Sequence, residues 1–262
     1  MPSATSIQPD GRSISLFIGR SGSGKSAAAM SYPHPIMVLD TDGRIRGGLT
    51  SWINREGIDY TYFPTKPERG TTFDALNNAF QVLQVQCRNR ECQYQTLILD
   101  SLTWEAIGLL LDAIPLTHAD GKGKSIGTMQ MAGPSEYGFQ STGVLQTLAF
   151  LKSLPILNII ATAHVVGRWG KQKNAAGEIL DPYGPNVLVG EQLALTDKLA
   201  ETVPSMFDNV FRFSKSQDGR QFRFEAHGEL ARTTHDKIPY GYQDITRKPF
   251  YEEMLKLAGV GK

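Results

Sequence analysis

The 262-residue chain has only two cysteines, almost no net charge (+1) and no run of 18 apolar residues. The near-neutral charge gives no bulk pull toward nucleic acid or membrane, so any such contact must come from local patches. Without a long apolar run, no membrane-spanning helix is expected. Met1 to Gly11 is short and polar, with neither a basic n-region nor an apolar h-region, so a signal peptide is not expected either. Cys87 and Cys92 cannot close a four-ligand zinc site, because no second pair exists. Two reduced, free thiols near a helix end are expected instead. Internal repeats and low-complexity tracts are also missing. The length suits one large domain or two small ones. Strand-like and helix-like patterns alternate through the first two thirds, which favours a single α/β domain.

What the sequence does have is Gly19-Arg20-Ser21-Gly22-Ser23-Gly24-Lys25-Ser26, a full match to G-x-x-x-x-G-K-[ST]. A flexible Gly/Ser loop could carry similar residues, but the flanks argue otherwise. Ile14 to Ile18 is a short strand-like run. Ala27 to Met30 are good helix formers. Strand, glycine loop and helix start therefore follow in the order a phosphate cradle needs. The glycines let the main chain approach an anion, and successive N–H groups form a concave nest backed by a helix N-terminus. The expected nucleotide-binding set runs from Gly19 through Ala27. Lys25 would reach the β- and γ-phosphates of ATP, and the Ser26 hydroxyl would ligate Mg²⁺.

Further along, Ile36 to Leu39 is a second strand, followed by Asp40-Thr41-Asp42-Gly43. Helical spacing is expected over Arg44 to Arg55, a strand over Asp59 to Phe63, and an amphipathic helix over Thr71 to Gln86. Thr96 to Leu99 is the next strand, closed by Asp100-Ser101, and Leu102 to Ile114 a helix. Pro115 to Gly138 reads as a long polar loop, Phe139 to Leu154 as a helix, and Ile156 to Thr162 as a strand ending at Ala163-His164. Val166 to Thr196 reads as a second long segment. Asp208 to Phe213 and Arg220 to Glu225 flank Asp218-Gly219, a hairpin signal. Pro249 to Leu257 closes the pattern with a short helix. A tail (1–12), an ATPase domain (13–246) and a C-terminal helix (247–262) are the expected divisions.

Asp100 at the end of an apolar strand suits the Walker B role of holding Mg²⁺. In an open parallel sheet, ligands gather at the carboxyl ends of strands, where Asp40, Asp42, Asp100 and His164 all belong. Val38-Leu39-Asp40-Thr41-Asp42-Gly43 resembles the strand end of RecA-type recombinases whose glutamate orients the attacking water. Leu99-Asp100-Ser101 resembles their Walker B strand. Ile160 to Val165 resembles the strand carrying their γ-phosphate sensor, with His164 in place of an amide. The run from Lys198-Leu199 through Pro204, Phe207-Asp208 and Val210 is similar to a pattern in phage RecA-like proteins of the Sak single-strand-annealing group. Asp42 departs from the family by one methylene.

The resemblance covers residues 13 to 226. It implies a mostly parallel twisted sheet with flanking helices, a RecA-like P-loop NTPase core and a late β-hairpin. It implies ATP and Mg²⁺ as cofactors and DNA-stimulated ATP hydrolysis, with Lys25, Asp42, His164 and Lys198 as catalytic residues. Lys198 would act in trans, in a ring or filament of copies. The two long segments fall where the family's DNA loops lie. Lys122, Lys124, Arg168, Lys171 and Lys173 would then meet phosphates, and Trp169 or Tyr183 would stack on bases. The implied partners are single-stranded DNA, copies of the chain and a single-strand-binding protein, in a bacterial host's cytoplasm. Two other readings stay open: a P-loop kinase of a small metabolite, and a non-hydrolysing nucleotide-dependent scaffold or loader.

Overall fold

The structure, a computed structural model, describes residues 12–45, 56–63, 71–119, 124–126, 129–172, 174, 176, 178–181, 183, 186–226, 243–246 and 248–257. The elements in chain order are β1 (Ser13–Gly19), α1 (Lys25–Ala29), β2 (Ile36–Asp40), β3 (Ile58–Tyr62), α2 (Thr71–Arg88), β4 (Thr96–Asp100) and α3 (Leu102–Ala119). Then come β5 (Lys124–Ile126), β6 (Met129–Met131), α4 (Pro134–Ser153), β7 (Asn158–Gly170), β8 (Val187–Leu193) and α5 (Asp197–Thr202). The last are β9 (Asn209–Lys215), β10 (Phe222–Ala226), β11 (Gln243–Asp244) and α6 (Phe250–Leu257). Beyond Ile45, the helix expected over Arg44 to Arg55 lies outside the described residues.

Among the described residues nine strands form the main sheet, in the order β11-β10-β9-β1-β7-β4-β2-β3, with β8 paired to β7. From β9 to β3 the neighbours on this path run parallel, while β9–β10 and β7–β8 are antiparallel hairpins. The expected fold class is therefore present: a mostly parallel P-loop sheet of RecA type with a late hairpin. Strand β7 lies between the P-loop strand β1 and the acid strand β4. That insertion brings residues distant in sequence to one edge.

Parallel strands buried on both faces have to be apolar on both. In β1, Ile14, Leu16 and Ile18 enter one core, whereas Phe17 enters the other. β4 divides the same way, with Leu97 and Leu99 opposite Ile98. The first core is covered by α2, α3 and α4 through Leu76, Phe80, Leu109, Val144 and Leu148. The second is aromatic. Phe250 of α6 meets Phe17, Phe211 and Phe213 at 5.2 Å between ring centroids, and Phe224 at 4.8 Å in edge contact. Such tilted and edge packing suits the ring quadrupoles.

Two expectations from sequence are corrected. Pro115 to Gly138 is not one long loop: α3 continues through Pro115 to Ala119, the β5–β6 hairpin follows, and α4 begins at Pro134. Pro115 stands inside the helix, where it removes one backbone hydrogen bond and crowds the carbonyl four residues earlier, yet the helix continues for four more residues. At the other side Pro134 takes the first helical turn, where its missing N–H is no loss, and Glu136 Oε2 accepts the Gly133 N–H at 2.8 Å. Likewise Val166 to Thr196 is not simply a loop. β7 runs for 13 residues to Gly170 and pairs with β8, with a register shift between Arg168 and Trp169.

Cys87 and Cys92 are free thiols, and burial together with contact to Cys92 pushes Cys87 up to about 12. Among the described residues no helix is long and apolar enough to cross a membrane.

Candidate functional site

The register fixes the floor of the site. Gly19 pairs with His164 and Asp40 with Asp100, so four strand ends meet along one edge. Gly19 sits so close to β9 that a Cβ there would lie 2.3 Å from the Phe213 carbonyl oxygen. Gly24 has φ +96°, a torsion that L side chains rarely adopt. These two glycines bend the chain into a cradle. α1 is only five residues long, so the loop's own N–H groups and Lys25 carry the anion affinity more than a helix dipole does. Lys25, Ser26 and Ala27 precede the first full helical bond, Ala28 N–H to the Gly24 carbonyl at 2.9 Å.

Lys25 is buried and folded back, its Nζ donating to the carbonyls of Gly19 at 2.9 Å and Arg20 at 3.0 Å. Burial lowers its pKa to about 8, against the opposing pull of Asp100 and Asp42. Both acids are therefore near enough for their charge to act on it. Ser26 Oγ donates to Asp100 Oδ2 at 2.6 Å, and the Thr162 hydroxyl donates to the other carboxylate oxygen. Burial raises the Asp100 pKa, and these two hydroxyls counter it. One hydroxyl beside one carboxylate is a donor set that fits Mg²⁺, which completes its shell with water and phosphate oxygens. Among the described residues no three or more His, Cys, Asp or Glu side chains are arranged to hold a metal ion.

Asp40 and Asp42 divide their work. Asp40 is fully buried, accepting from the backbone N–H groups of Asp42 at 2.9 Å and Gly43 at 2.7 Å and from the Tyr60 hydroxyl at 2.9 Å. It shapes the turn that presents Asp42. The Asp42 side chain, 7% exposed, faces His164 Nε2 at 3.2 Å and Arg44 Nε at 3.4 Å. His164 is held by its own N–H, which donates to Thr103 Oγ1 at 2.9 Å. Glu105 is wholly buried between α3 and α4, with the Thr147 hydroxyl beside its carboxyl. Burial pushes its pKa to about 8, with the Thr147 hydroxyl pulling the other way. Enclosed there, it is set aside as a candidate base.

Of the other expected residues, Ser21 accepts from Arg44 Nη1 at 3.2 Å. Ser23 is buried, and Gly22 opens the cradle with φ +70°. Arg168 and Trp169 sit exposed on β7, Trp169 at 65%, and Tyr183 beyond them is 98% exposed. Lys171 is half-buried. Lys124 starts β5. Lys122 and Lys173 lie outside the described residues. Lys198 is exposed on α5, the helix whose Asp197, Ala200 and Glu201 line a groove of about 1050 Å³ together with Arg168, Trp169 and Leu188. The structure thus gathers Lys25, Ser26, Asp42, Asp100 and His164, and leaves Lys198 apart from them.

Two residues were missed from sequence. Thr162 completes the Asp100 pair, and its place two residues before His164 was the available signal. Glu191 of β8 reaches Arg20 Nε at 3.0 Å and Arg212 Nη2 at 2.5 Å. It links the hairpin to the cradle, and no motif announced it.

Residues 13–236 match the family model described as an AAA domain. No curated protein matches the sequence. Among solved structures, the chain is similar to a KaiC-like protein from the hyperthermophilic archaeon Pyrococcus horikoshii. The identity is 12%, the TM-score 0.44, and the match covers 92% of this chain and 88% of that one.

Proposed function

The chain belongs to the AAA domain family of nucleotide-binding ATPase domains, and we propose that it hydrolyses ATP to act on single-stranded DNA, in phage recombination or annealing. The glycine cradle and Lys25 hold the β- and γ-phosphates. Mg²⁺, held through Ser26 and Asp100, would neutralise charge developing on the β- and γ-oxygens. Asp42 orients the attacking water and takes its proton as the bond from water oxygen to γ-phosphorus forms and the β–γ bridge breaks. His164, 3.2 Å from Asp42 at the same sheet edge, would report the γ-phosphate's presence. Glu105, neutral and enclosed, takes no part.

The DNA reading rests on the continuity of β7. The same strand carries His164 in the nucleotide site and, five residues later, the exposed Trp169. A strand is stiff, so a shift at His164 tilts the hairpin that presents Arg168 and Trp169. An exposed aromatic face next to an arginine suits an unpaired base and its phosphate. Glu191 supports the same coupling from β8. The assembly we propose is head-to-tail, with Lys198 reaching a neighbouring copy's nucleotide.

Binding to fluorescent oligonucleotides across a salt series tests this. Phosphate contacts make affinity fall with salt, whereas stacking is worth about 1–3 kcal/mol per base and is less salt-sensitive. Trp169→Ala should weaken binding with the salt slope nearly intact, and a Lys171→Ala/Lys173→Ala pair should flatten the slope. Wild-type affinity in both variants would remove the hairpin from the DNA site.

A further inference from the structure

Beside the cradle, on the side away from His164, a cavity of about 360 Å³ is walled by Arg20, Ser21, Ser23, Glu191, Arg212 and Lys215, among others. Three cations and one carboxylate line it. The carboxylate is already engaged, since Glu191 bridges Arg20 and Arg212. Lys215, at the exposed end of β9, forms no ion pair among the described residues. Its ammonium rests over the ring of Phe222, 5.0 Å from the centroid, and Phe222 is its cross-strand partner in the β9–β10 hairpin.

The position of this pair is specific. Lys215 Nζ lies 3.7 Å from where a Cβ on Gly22 would be, and Phe222 Cδ1 lies 3.0 Å from where one on Gly24 would be. Both glycines belong to the phosphate cradle. The hairpin therefore leans on the P-loop through a ring and holds an unpaired cation at the loop's open face. A lysine ammonium is a compact charge on a flexible stem, able to leave a weak ring contact for a nearby anion.

We propose that Lys215 is a second phosphate-binding cation of the nucleotide site, supplied in cis. From its place over the Phe222 ring its ammonium can swing onto the polyphosphate held by the cradle. This deepens the ATPase reading and depends on it. The β9–β10 hairpin thereby contributes a charge from the flank opposite to Asp42 and His164. The cation belongs to the same chain as the P-loop, which separates its role from that of Lys198.

Isothermal titration of the full chain with Mg-ATP, in low and high KCl, tests this in wild type, Lys215→Ala and Lys215→Gln. Lys215 is exposed, so the variants should fold, and equal melting temperatures check it. We expect ATP affinity to fall roughly tenfold or more in both variants, the scale of one hydrogen bond to a charged group. We also expect a shallower salt dependence and unchanged affinity for single-stranded DNA. Wild-type ATP affinity in the variants, or lost DNA affinity with ATP affinity intact, overturns the proposal. A wild-type chain that binds no ATP removes the ATPase reading and this inference together. Tight wild-type binding with unaffected variants removes only the inference.

Discussion

Asp42 and His164 lie 122 residues apart in the chain and 3.2 Å apart in the fold. The contact exists because β7, which carries His164, is inserted between β1 and β4, and because Asp40 caps the turn that aims Asp42. It places a carboxylate and an imidazole together beside Lys25. Asp42→Asn keeps the shape and loses the proton acceptor. Turnover should fall on the order of 100-fold or more, the range for a lost general base, while Mg-ATP binding stays near wild type. Asp100→Asn should instead raise the Mg²⁺ concentration needed for binding. A magnesium titration of both variants separates the two roles, and wild-type turnover in Asp42→Asn would require another base.

Lys25 makes nucleotide binding depend on pH. Its pKa of about 8 in the folded chain reflects burial of the ammonium. Phosphate favours the charged form, so binding raises that pKa. Above pH 8 the free protein has partly lost the proton, and ATP binding has to take it up again. Affinity should therefore weaken as pH rises from 8 to 9. Titrations in buffers of different ionisation enthalpy should show proton uptake there and little at pH 7. Uptake that is unchanged in Lys25→Gln would assign it elsewhere.

Glu105 gives a prediction of opposite character. Its folded pKa of about 8 lies above the ordinary value of 4.5. Between these limits the unfolded chain releases a proton that the native chain keeps, so native stability declines as pH rises. Glu105→Gln removes that decline at nearly constant volume. It should stabilise the protein at pH 8 by about 1–3 kcal/mol, flatten the dependence of Tm on pH from 5 to 8, and leave ATP turnover intact. Lost turnover would make Glu105 a candidate base again.

The P-loop, the acid strand and the alternation of strands and helices were legible because each is local. A glycine pattern between an apolar run and a helix start can be read in eight residues. Asp100 announces itself at the end of Thr96-Leu97-Ile98-Leu99. What escaped depends on pairing at a distance. Pro115 reads as a stop, yet α3 runs past it to Ala119, because the apolar face of α3 packs on α2 and α4 in the first core. The length of β7 comes from β8, whose sequence is separated from it by a loop. The resemblance singles out Asp42, but only the fold shows that Asp40 is occupied by the backbone N–H groups that shape its turn. Glu191 and Lys215 have no motif, because what they stand beside depends on strand pairing at a distance, β8 on β7 and β9 on β1.

Lys198 provides a test of assembly. If it completes a neighbour's site, Lys198→Ala and Lys25→Ala are each nearly inactive alone. Mixed, some interfaces join an intact P-loop to an intact Lys198, and part of the activity returns. Normal turnover by Lys198→Ala alone, or full activity from a monomer, contradicts the assignment.

The most direct test of the account is the steady-state rate of ATP hydrolysis by the wild-type chain, with and without single-stranded DNA. The account predicts Mg²⁺-dependent phosphate release that rises severalfold with the DNA and disappears in Lys25→Ala. A rate indifferent to DNA, or transfer of the γ-phosphate to a small acceptor in place of water, would contradict it.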